Sequence, residues 1–282
     1  MTAARKNSLL CPNCRRLISR DEPKCPWCGI PHPGSRLKGL FSGRLFERPD
    51  QLLPLMIGAN VAMYVLSLLL NLGEATMAMH PFHFLSPDNR SLLLLGATGT
   101  LPVNAFGRWW SLISASYLHG SLLHILFNML ALRQLLPLVA QEFGTPRMFT
   151  IYTVGGIGGF LLSYLAGVRF TIGASAAVCG LIGAVLYYGK HRGGGYGQEL
   201  FSQVGGWAIG IFAFGFLVPG INNWGHGGGM VAGALTAMLL GYRERSRETF
   251  FHKALAGVLG LITLAVLLWA TLTAFAYRFF GG

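Results

Sequence analysis

Seven long apolar stretches restrict how this 282-residue chain can fold. A helix needs about 20 apolar residues to cross the hydrocarbon core of a bilayer. Only 11% of the residues are charged, whereas an ordinary soluble domain carries about 25%. The composition therefore predicts an all-α polytopic membrane protein. The predicted spans are Leu52–Leu72, Leu118–Val139, Met148–Val168, Ile172–Tyr188, Val204–Val218, Gly225–Leu240 and Ala254–Tyr277.

The basic residues predict the orientation of the chain in the membrane. Most of the 22 Lys and Arg residues fall before the first span and after the second, fourth and sixth spans. Because Lys and Arg concentrate on the cytoplasmic side, we expect the N-terminus inside and the C-terminus outside the cell (inner) membrane. The net charge of +12 then reflects topology and contact with the lipid bilayer, which we favour over nucleic-acid binding.

The N-terminal segment contains four cysteines in two CxxC pairs, Cys11 with Cys14 and Cys25 with Cys28. Four thiolates at this spacing can surround one tetrahedral zinc ion, and Gly29 permits a tight turn after the second pair. Iron is the competing metal. Free or disulfide-bonded cysteines are the alternative without a metal, although a reducing cytosol disfavours disulfides.

These features predict three parts of the chain. Residues 1–34 form a zinc-ribbon-like module, in which the metal would supply most of the folding energy because the segment is too short to bury much core. Residues 35–50 form a basic linker along the inner membrane surface, and residues 51–282 form the membrane domain. Binding of a cytosolic protein partner and regulation of the membrane domain are both open roles for the ribbon.

Four polar residues within the apolar spans predict a single site. His124 and Asn128 lie early in the second span, Ser175 starts the fourth, and His226 starts the sixth. Since even-numbered spans all begin on the same side of the membrane, these side chains share one depth in its outer half. A polar group inside a span is costly unless it is used, and a hydroxyl with an imidazole makes a nucleophile and its base.

The residue types suggest a role for each member of this site. His226 can take the proton of Ser175, and a helix starting near Gly173 offers unpaired N–H groups to an oxyanion. His124 and Asn128 are spaced i, i+4, so both can donate to the same point. Each residue also has a structural alternative: a serine bonded to its own helix carbonyl, an interfacial histidine, or an asparagine that joins two helices.

Small residues predict close packing of the fourth and sixth spans. Gly229 and Gly233 form part of a ridge on the sixth span, and Cys179 and Gly180 offer small residues on the fourth. Small-xxx-small faces let helix backbones approach closely. Such an approach would bring the serine within reach of the histidine.

Several motifs resemble those of rhomboid intramembrane proteases over roughly residues 50–280. They are the run His119-Gly-Ser-Leu-Leu-His124-Ile-Leu-Phe-Asn128, the run Gly173-Ala-Ser175-Ala, and the HxxGxxxG run His226-Gly-Gly-Gly229-Met-Val-Ala-Gly233. One departure is Cys179, which stands where family members often have an aromatic that packs on the base histidine.

The resemblance implies a rhomboid-like bundle of six core transmembrane helices, here with a seventh at the C-terminal end. It implies a Ser175–His226 dyad without a catalytic Asp, and no cofactor for catalysis. It also implies an oxyanion pocket formed by His124, Asn128 and the backbone N–H of Ser175. The expected substrates are transmembrane segments of other membrane proteins, cleaved near the outer side.

Three other functions compete with a protease. A catalytically silent rhomboid-like scaffold would bind membrane proteins for quality control, but such relatives lose the serine or the histidine, and this chain keeps both. A transporter or channel predicts polar residues along a pathway, and few are present beyond Arg133. An α/β-hydrolase is disfavoured because the serine lacks the second glycine of GxSxG and an alternating strand–helix pattern.

Overall fold

The computed structural model divides the chain into two compact units, Met1–Arg48 and Pro49–Gly282. In the described part of the second unit, seven α-helices of 18 or more residues each overlap one of the predicted spans. The predicted all-α polytopic fold is therefore confirmed. The residues that the structure describes are 8–11, 16–29, 31–33, 49–70, 76–77 and 84–280.

The first unit contains a small antiparallel hairpin of β1 (Ser8–Leu10) and β2 (Leu17–Ser19). Ile18 of β2 is buried against Cys11 and Cys25. Among the described residues of this unit, the apolar centre is small and is built mainly from cysteine side chains.

The second unit is almost entirely helical where it is described. A two-stranded antiparallel sheet of β3 (Thr76–Met77) and β4 (Phe84–Ser86) interrupts the helices after the first one. The helices are α1 (Pro49–Leu69), α2 (Asn89–Leu94), α3 (Thr100–Phe106), α4 (Ser111–Ser114), α5 (Leu122–Phe143), α6 (Thr145–Leu165), α7 (Ser175–Arg192), α8 (Gly194–Leu217), α9 (Asn223–Leu240) and α10 (Phe250–Phe280).

Five helices, α1, α5, α6, α8 and α10, are long and apolar enough to cross a membrane. The helices α7 and α9 have 18 residues each, a length of about 27 Å. They are rich in glycine and carry polar residues, and α7 is buried along most of its length. A helix surrounded by protein instead of lipid can keep such a composition.

Two span boundaries differ from the prediction for local backbone reasons. Gly173 has a φ of 126°, so α7 begins at Ser175 and not at the predicted Ile172. Gly193 and Gly194 both have a φ of 66°, and these left-handed residues turn the chain directly from α7 into α8. The fifth span therefore starts well before the predicted Val204.

Glycines allow α6, α7 and α9 to pack so closely that their backbone atoms are in contact. A Cβ on Gly229 of α9 would clash with the carbonyl oxygen of Ala176, and one on Gly233 with that of Gly180. On α6, a Cβ on Gly155 would lie 2.7 Å from the Cα of Gly180. The close approach sets the positions of the first turns of α7 and α9 relative to each other.

The segment before α7 is fixed by hydrogen bonds to the loop between α1 and α5. Thr98 and Thr171 exchange both backbone bonds, with N···O distances of 3.1 and 2.8 Å. Gly173 N donates to the carbonyl of Ala115 at 2.9 Å, and Ser111 Oγ donates to Thr98 Oγ1 at 2.9 Å. Backbone hydrogen bonds therefore fix residues 171–173, the segment that leads into Ser175.

Candidate active site

Ser175 is the first residue of α7. The N-cap residue, Ala174, provides no side-chain hydrogen bond to the helix. The first N–H groups of a helix have no partner within the helix and lie at the positive end of its dipole. The backbone around Ser175 thus presents donors that a developing negative charge can use.

His226 lies in the first turn of α9 and is only 6% exposed. Its Nε2 is 3.1 Å from Ser175 Oγ, and its Nδ1 is 3.3 Å from Asn223 Oδ1. The Nδ2 of the same asparagine donates to the carbonyl of Phe212 at 3.3 Å, which directs Oδ1 toward the imidazole. Nδ1–H therefore donates to Asn223, and the lone pair of Nε2 is left to accept the hydroxyl proton of Ser175.

His124 has the opposite tautomer. The backbone N of Gly120 donates to His124 Nδ1 at 3.3 Å, so the ring proton is on Nε2. A Cβ on Gly173 would lie 2.8 Å from this Nε2 and 3.5 Å from Ser175 Oγ. The Nε2 of His124 and the Oγ of Ser175 thus both border the space that Gly173 leaves open.

Asn128 is 6% exposed, and its Nδ2 donates to the carbonyl of His124 at 3.0 Å. One N–H of this amide is therefore used within α5. A primary amide has two N–H donors, so donation to the same point as His124 stays a prediction. Gly229 and Gly233 lie where α9 meets α7, as described above.

Comparisons with known proteins identify the family of the chain. The family model of the rhomboid domain matches residues 106–243. The chain is 32% identical over 186 residues to rhomboid protease GluP of Bacillus subtilis, covering 64% of this chain and 35% of that protein. It is 30% identical over 151 residues to the putative rhomboid protease YdcA of the same organism, covering 51% of this chain and 73% of that protein. The chain belongs to the rhomboid family.

Plant relatives match this rhomboid protein over a similar length. RHOMBOID-like protein 4 of Arabidopsis thaliana is 29% identical over 205 residues, which is 67% of this chain and 52% of the relative. The chain thus spans between about a third and a half of the length of the first relatives that it matches. Family membership and five apolar helices make it a multi-pass integral membrane protein of a family of intramembrane proteases.

Two asparagines that the sequence patterns do not single out, Asn222 and Asn223, hold the start of α9 in this rhomboid protein. Asn222 Nδ2 donates to Ser163 Oγ at 2.7 Å and to Thr171 Oγ1 at 3.0 Å, and its Oδ1 accepts from Gly225 N at 3.1 Å. Asn222 therefore caps α9 and joins it to α6 and to the segment before α7. A local signal was present, since asparagine is a preferred N-cap residue.

Three of the four predicted cysteine ligands come together in the first unit. The sulfurs of Cys11, Cys25 and Cys28 all lie within 4.8 Å of one another, and those of Cys11 and Cys28 are 3.6 Å apart. In a tetrahedral zinc site with Zn–S bonds of about 2.3 Å, the sulfurs are about 3.8 Å apart. The three cysteines can therefore hold a metal. The fourth predicted ligand, Cys14, lies outside the described residues.

Proposed function

We propose that this chain is an intramembrane serine protease in which Ser175 is the nucleophile and His226 the general base. The observation that carries the proposal is the 3.1 Å contact between His226 Nε2 and Ser175 Oγ. The contact of Nδ1 with Asn223 supports it, because it leaves Nε2 as the acceptor. A nucleophile within hydrogen-bond reach of a base that a third group orients is the usual arrangement for covalent hydrolysis.

The proposed reaction has two halves. Ser175 Oγ attacks the scissile carbonyl carbon while its proton passes to His226 Nε2. The imidazolium then gives that proton to the leaving amine as the peptide C–N bond breaks, which leaves an ester on Ser175. A water molecule, deprotonated by the same imidazole, hydrolyses the ester and restores the free hydroxyl.

The oxyanion formed in both halves needs hydrogen-bond donors. The proposed donors are the backbone N–H of Ser175 and the Nε2–H of His124; the position of Ser175 at the start of α7 and the bond of Gly120 N to His124 Nδ1 support them. Asn128, four residues after His124 in α5, is the third proposed member of the pocket. Such donors act strongly in a water-poor site because they are oriented before the charge develops.

The proposed substrates are transmembrane segments of other proteins, cut near the outer side of the cell (inner) membrane. The distribution of basic residues supports an N-terminus in the cytoplasm and a C-terminus outside. A reporter enzyme that works only outside the cytoplasm, fused after the C-terminus, should be active. If the reporter were active only when fused to the N-terminus, the chain would have the opposite orientation in the membrane.

Cleavage of a model transmembrane substrate in proteoliposomes tests the proposed protease activity. Ser175→Ala should abolish cleavage, because no nucleophile remains. A matched control is Ser67→Ala, which removes another buried serine hydroxyl, one that bonds the carbonyl of Tyr64 in α1. The control should cleave at the rate of the unaltered chain, and full activity of Ser175→Ala would contradict the proposal.

The second candidate function is a catalytically silent scaffold that binds membrane proteins. It remains because one fold can host different functions, so a protease fold does not by itself establish activity. The same experiment separates the two functions. A scaffold would retain the transmembrane substrate in a pull-down from detergent but leave it uncut with or without Ser175.

For the first unit we propose a structural zinc site made by Cys11, Cys14, Cys25 and Cys28. The clustering of three of these sulfurs supports it, as does the second CxxC turn, where Gly29 has a φ of 73° and donates to the carbonyl of Cys25. Zinc would organise this unit and take no part in peptide hydrolysis. Binding of a cytosolic protein partner is the role proposed for the ribbon.

Metal analysis of the purified chain tests the zinc site. One zinc per chain is expected, and Cys25→Ser should lose it, because three thiolates bind zinc more weakly than four. Cys25→Ser should still cleave the substrate, and adding Ser175→Ala to this variant should abolish cleavage as it does in the unaltered chain. Stoichiometric iron, or no metal in the intact chain, would contradict the proposal.

A further inference from the structure

One side chain connects the candidate base to a helix that carries none of the reacting groups. Asn223 is the first residue of α9, and its Oδ1 lies 3.3 Å from His226 Nδ1. Its Nδ2 donates to the carbonyl of Phe212 in α8 at 3.3 Å. The amide therefore bonds His226 on the side of the ring away from Ser175, and its other end is held by α8.

We propose that Asn223 is a positioning residue that takes the place of the acidic third member of a catalytic triad, and that α8 holds it in place. This proposal rests on the proposed protease function and deepens it. Asn223 touches neither the substrate nor the reacting atoms. It acts by fixing the tautomer and the orientation of His226.

The chemistry of an amide suits this role in a membrane. The carbonyl oxygen of Asn223 accepts the Nδ1–H of the neutral ring, which keeps the lone pair on Nε2. When Nε2 takes the serine proton, the same oxygen faces a full imidazolium charge, and hydrogen bonds to charged groups are stronger than neutral ones. A neutral amide gives this support without burying a carboxylate in a water-poor site.

The contact with α8 is tight because Gly215 lies beside the amide. A Cβ on Gly215 would clash with Oδ1 of Asn223 and would lie 2.7 Å from its Cγ and 2.9 Å from its Nδ2. Only a glycine leaves room for the asparagine in this position. The placement of α8 therefore determines whether Asn223 can reach His226.

Asn223→Ala tests the positioning role through kinetics on a transmembrane substrate. It should lower kcat about 10- to 100-fold, the range for losing a hydrogen bond to a group that becomes charged. KM should change less than about twofold, because Asn223 does not touch the bound substrate. Asn223→Asp keeps an acceptor for Nδ1–H but loses the donor to the carbonyl of Phe212, so it should recover only part of the lost kcat. Asn223→Leu, of similar size, should recover none.

Gly215→Ala tests the link to α8 in a chain that keeps Asn223. The added methyl group should displace the amide and lower kcat to a similar degree as Asn223→Ala. The matched control is Gly210→Ala on the same helix, whose Cβ would meet no atom within 4 Å; it should keep full kcat. In the double variant, Gly215→Ala should cost nothing further, because the shortened side chain of Asn223→Ala leaves room for the methyl group.

The outcomes separate this proposal from the proposed function. Reaction of a fluorophosphonate with the intact chain but not with Ser175→Ala supports the nucleophile, whatever Asn223 does. Unchanged kcat in Asn223→Ala, or Gly215→Ala behaving like Gly210→Ala, would overturn the positioning role alone. If the fold losses in kcat of the two single variants multiplied in the double variant, the link between Gly215 and Asn223 would be overturned.

Discussion

At the scale of single residues, the site combines two histidines in opposite tautomers. Gly120 N donates to Nδ1 of His124, which makes Nε2 a donor, whereas Asn223 accepts from Nδ1 of His226, which makes Nε2 an acceptor. The two rings can therefore play different parts next to the same serine. One can stabilise negative charge, and the other can remove a proton.

Substitutions in α5 should reveal unequal contributions of the two proposed oxyanion donors. His124→Ala should lower kcat about 10²–10³-fold, the effect of losing one well-placed donor. Asn128→Ala should have a smaller effect, because one of its N–H groups already bonds the carbonyl of His124. Rates of substrate cleavage in proteoliposomes measure both, and a larger loss for Asn128→Ala would reverse the assignment.

At the scale of helices, the groups proposed to react are carried by α7 and α9, the two shortest of the seven long helices. Their backbones approach through Gly229 and Gly233, where a Cβ would clash with carbonyls of α7. The 3.1 Å distance between His226 and Ser175 depends on this approach. The close packing of small residues between α7 and α9 thus also places Ser175 next to His226.

Gly233→Ala should destabilise the protein by forcing α7 and α9 apart. The expected loss is about 1–3 kcal/mol in the free energy of unfolding, typical of an overpacked core. The matched control is Gly257→Ala in α10, where a Cβ would meet no atom within 4 Å. Unfolding in mixed micelles measures both variants, and equal stability would show that the contact tolerates a methyl group.

The same helices show how far sequence patterns can predict such a site. Sequence patterns indicate Ser175 and His226, because polar groups in apolar spans are conspicuous and these two fall at one depth. Sequence patterns do not indicate Asn223, because its proposed role depends on the carbonyl of Phe212 and the gap at Gly215, which lie on another helix. The apolar pattern also misplaces the start of α8, because Gly193 and Gly194 turn the chain directly from α7 into α8.

At the scale of the whole molecule, one arginine joins distant parts of the membrane unit. Arg147, at the start of α6, is fully buried. It donates to the carbonyls of Gly241, Ser246 and Arg247 at 3.0, 3.0 and 2.7 Å. These bonds hold the connection between α9 and α10 against the end of the bundle opposite to Ser175.

Arg147→Met should loosen this connection, because three backbone carbonyls lose their charged donor. A loss of about 2–4 kcal/mol in unfolding free energy is expected, since hydrogen bonds to charged groups contribute about 1.5–3 kcal/mol each and partly re-form with water. Limited proteolysis should also cut residues 241–249 sooner. Arg245→Met, at an exposed position of the same connection, is the control. Equal protease resistance of the two variants would contradict the role of Arg147.

The nucleophile is tested most directly by intact-mass measurement after reaction with a fluorophosphonate. The folded chain should gain one adduct, peptide mapping should place it on Ser175, and His226→Ala should slow its formation strongly because the base is gone. Ser175→Ala should gain no adduct. An adduct that persists in Ser175→Ala, or a folded chain that never reacts, would contradict the proposed Ser175–His226 dyad.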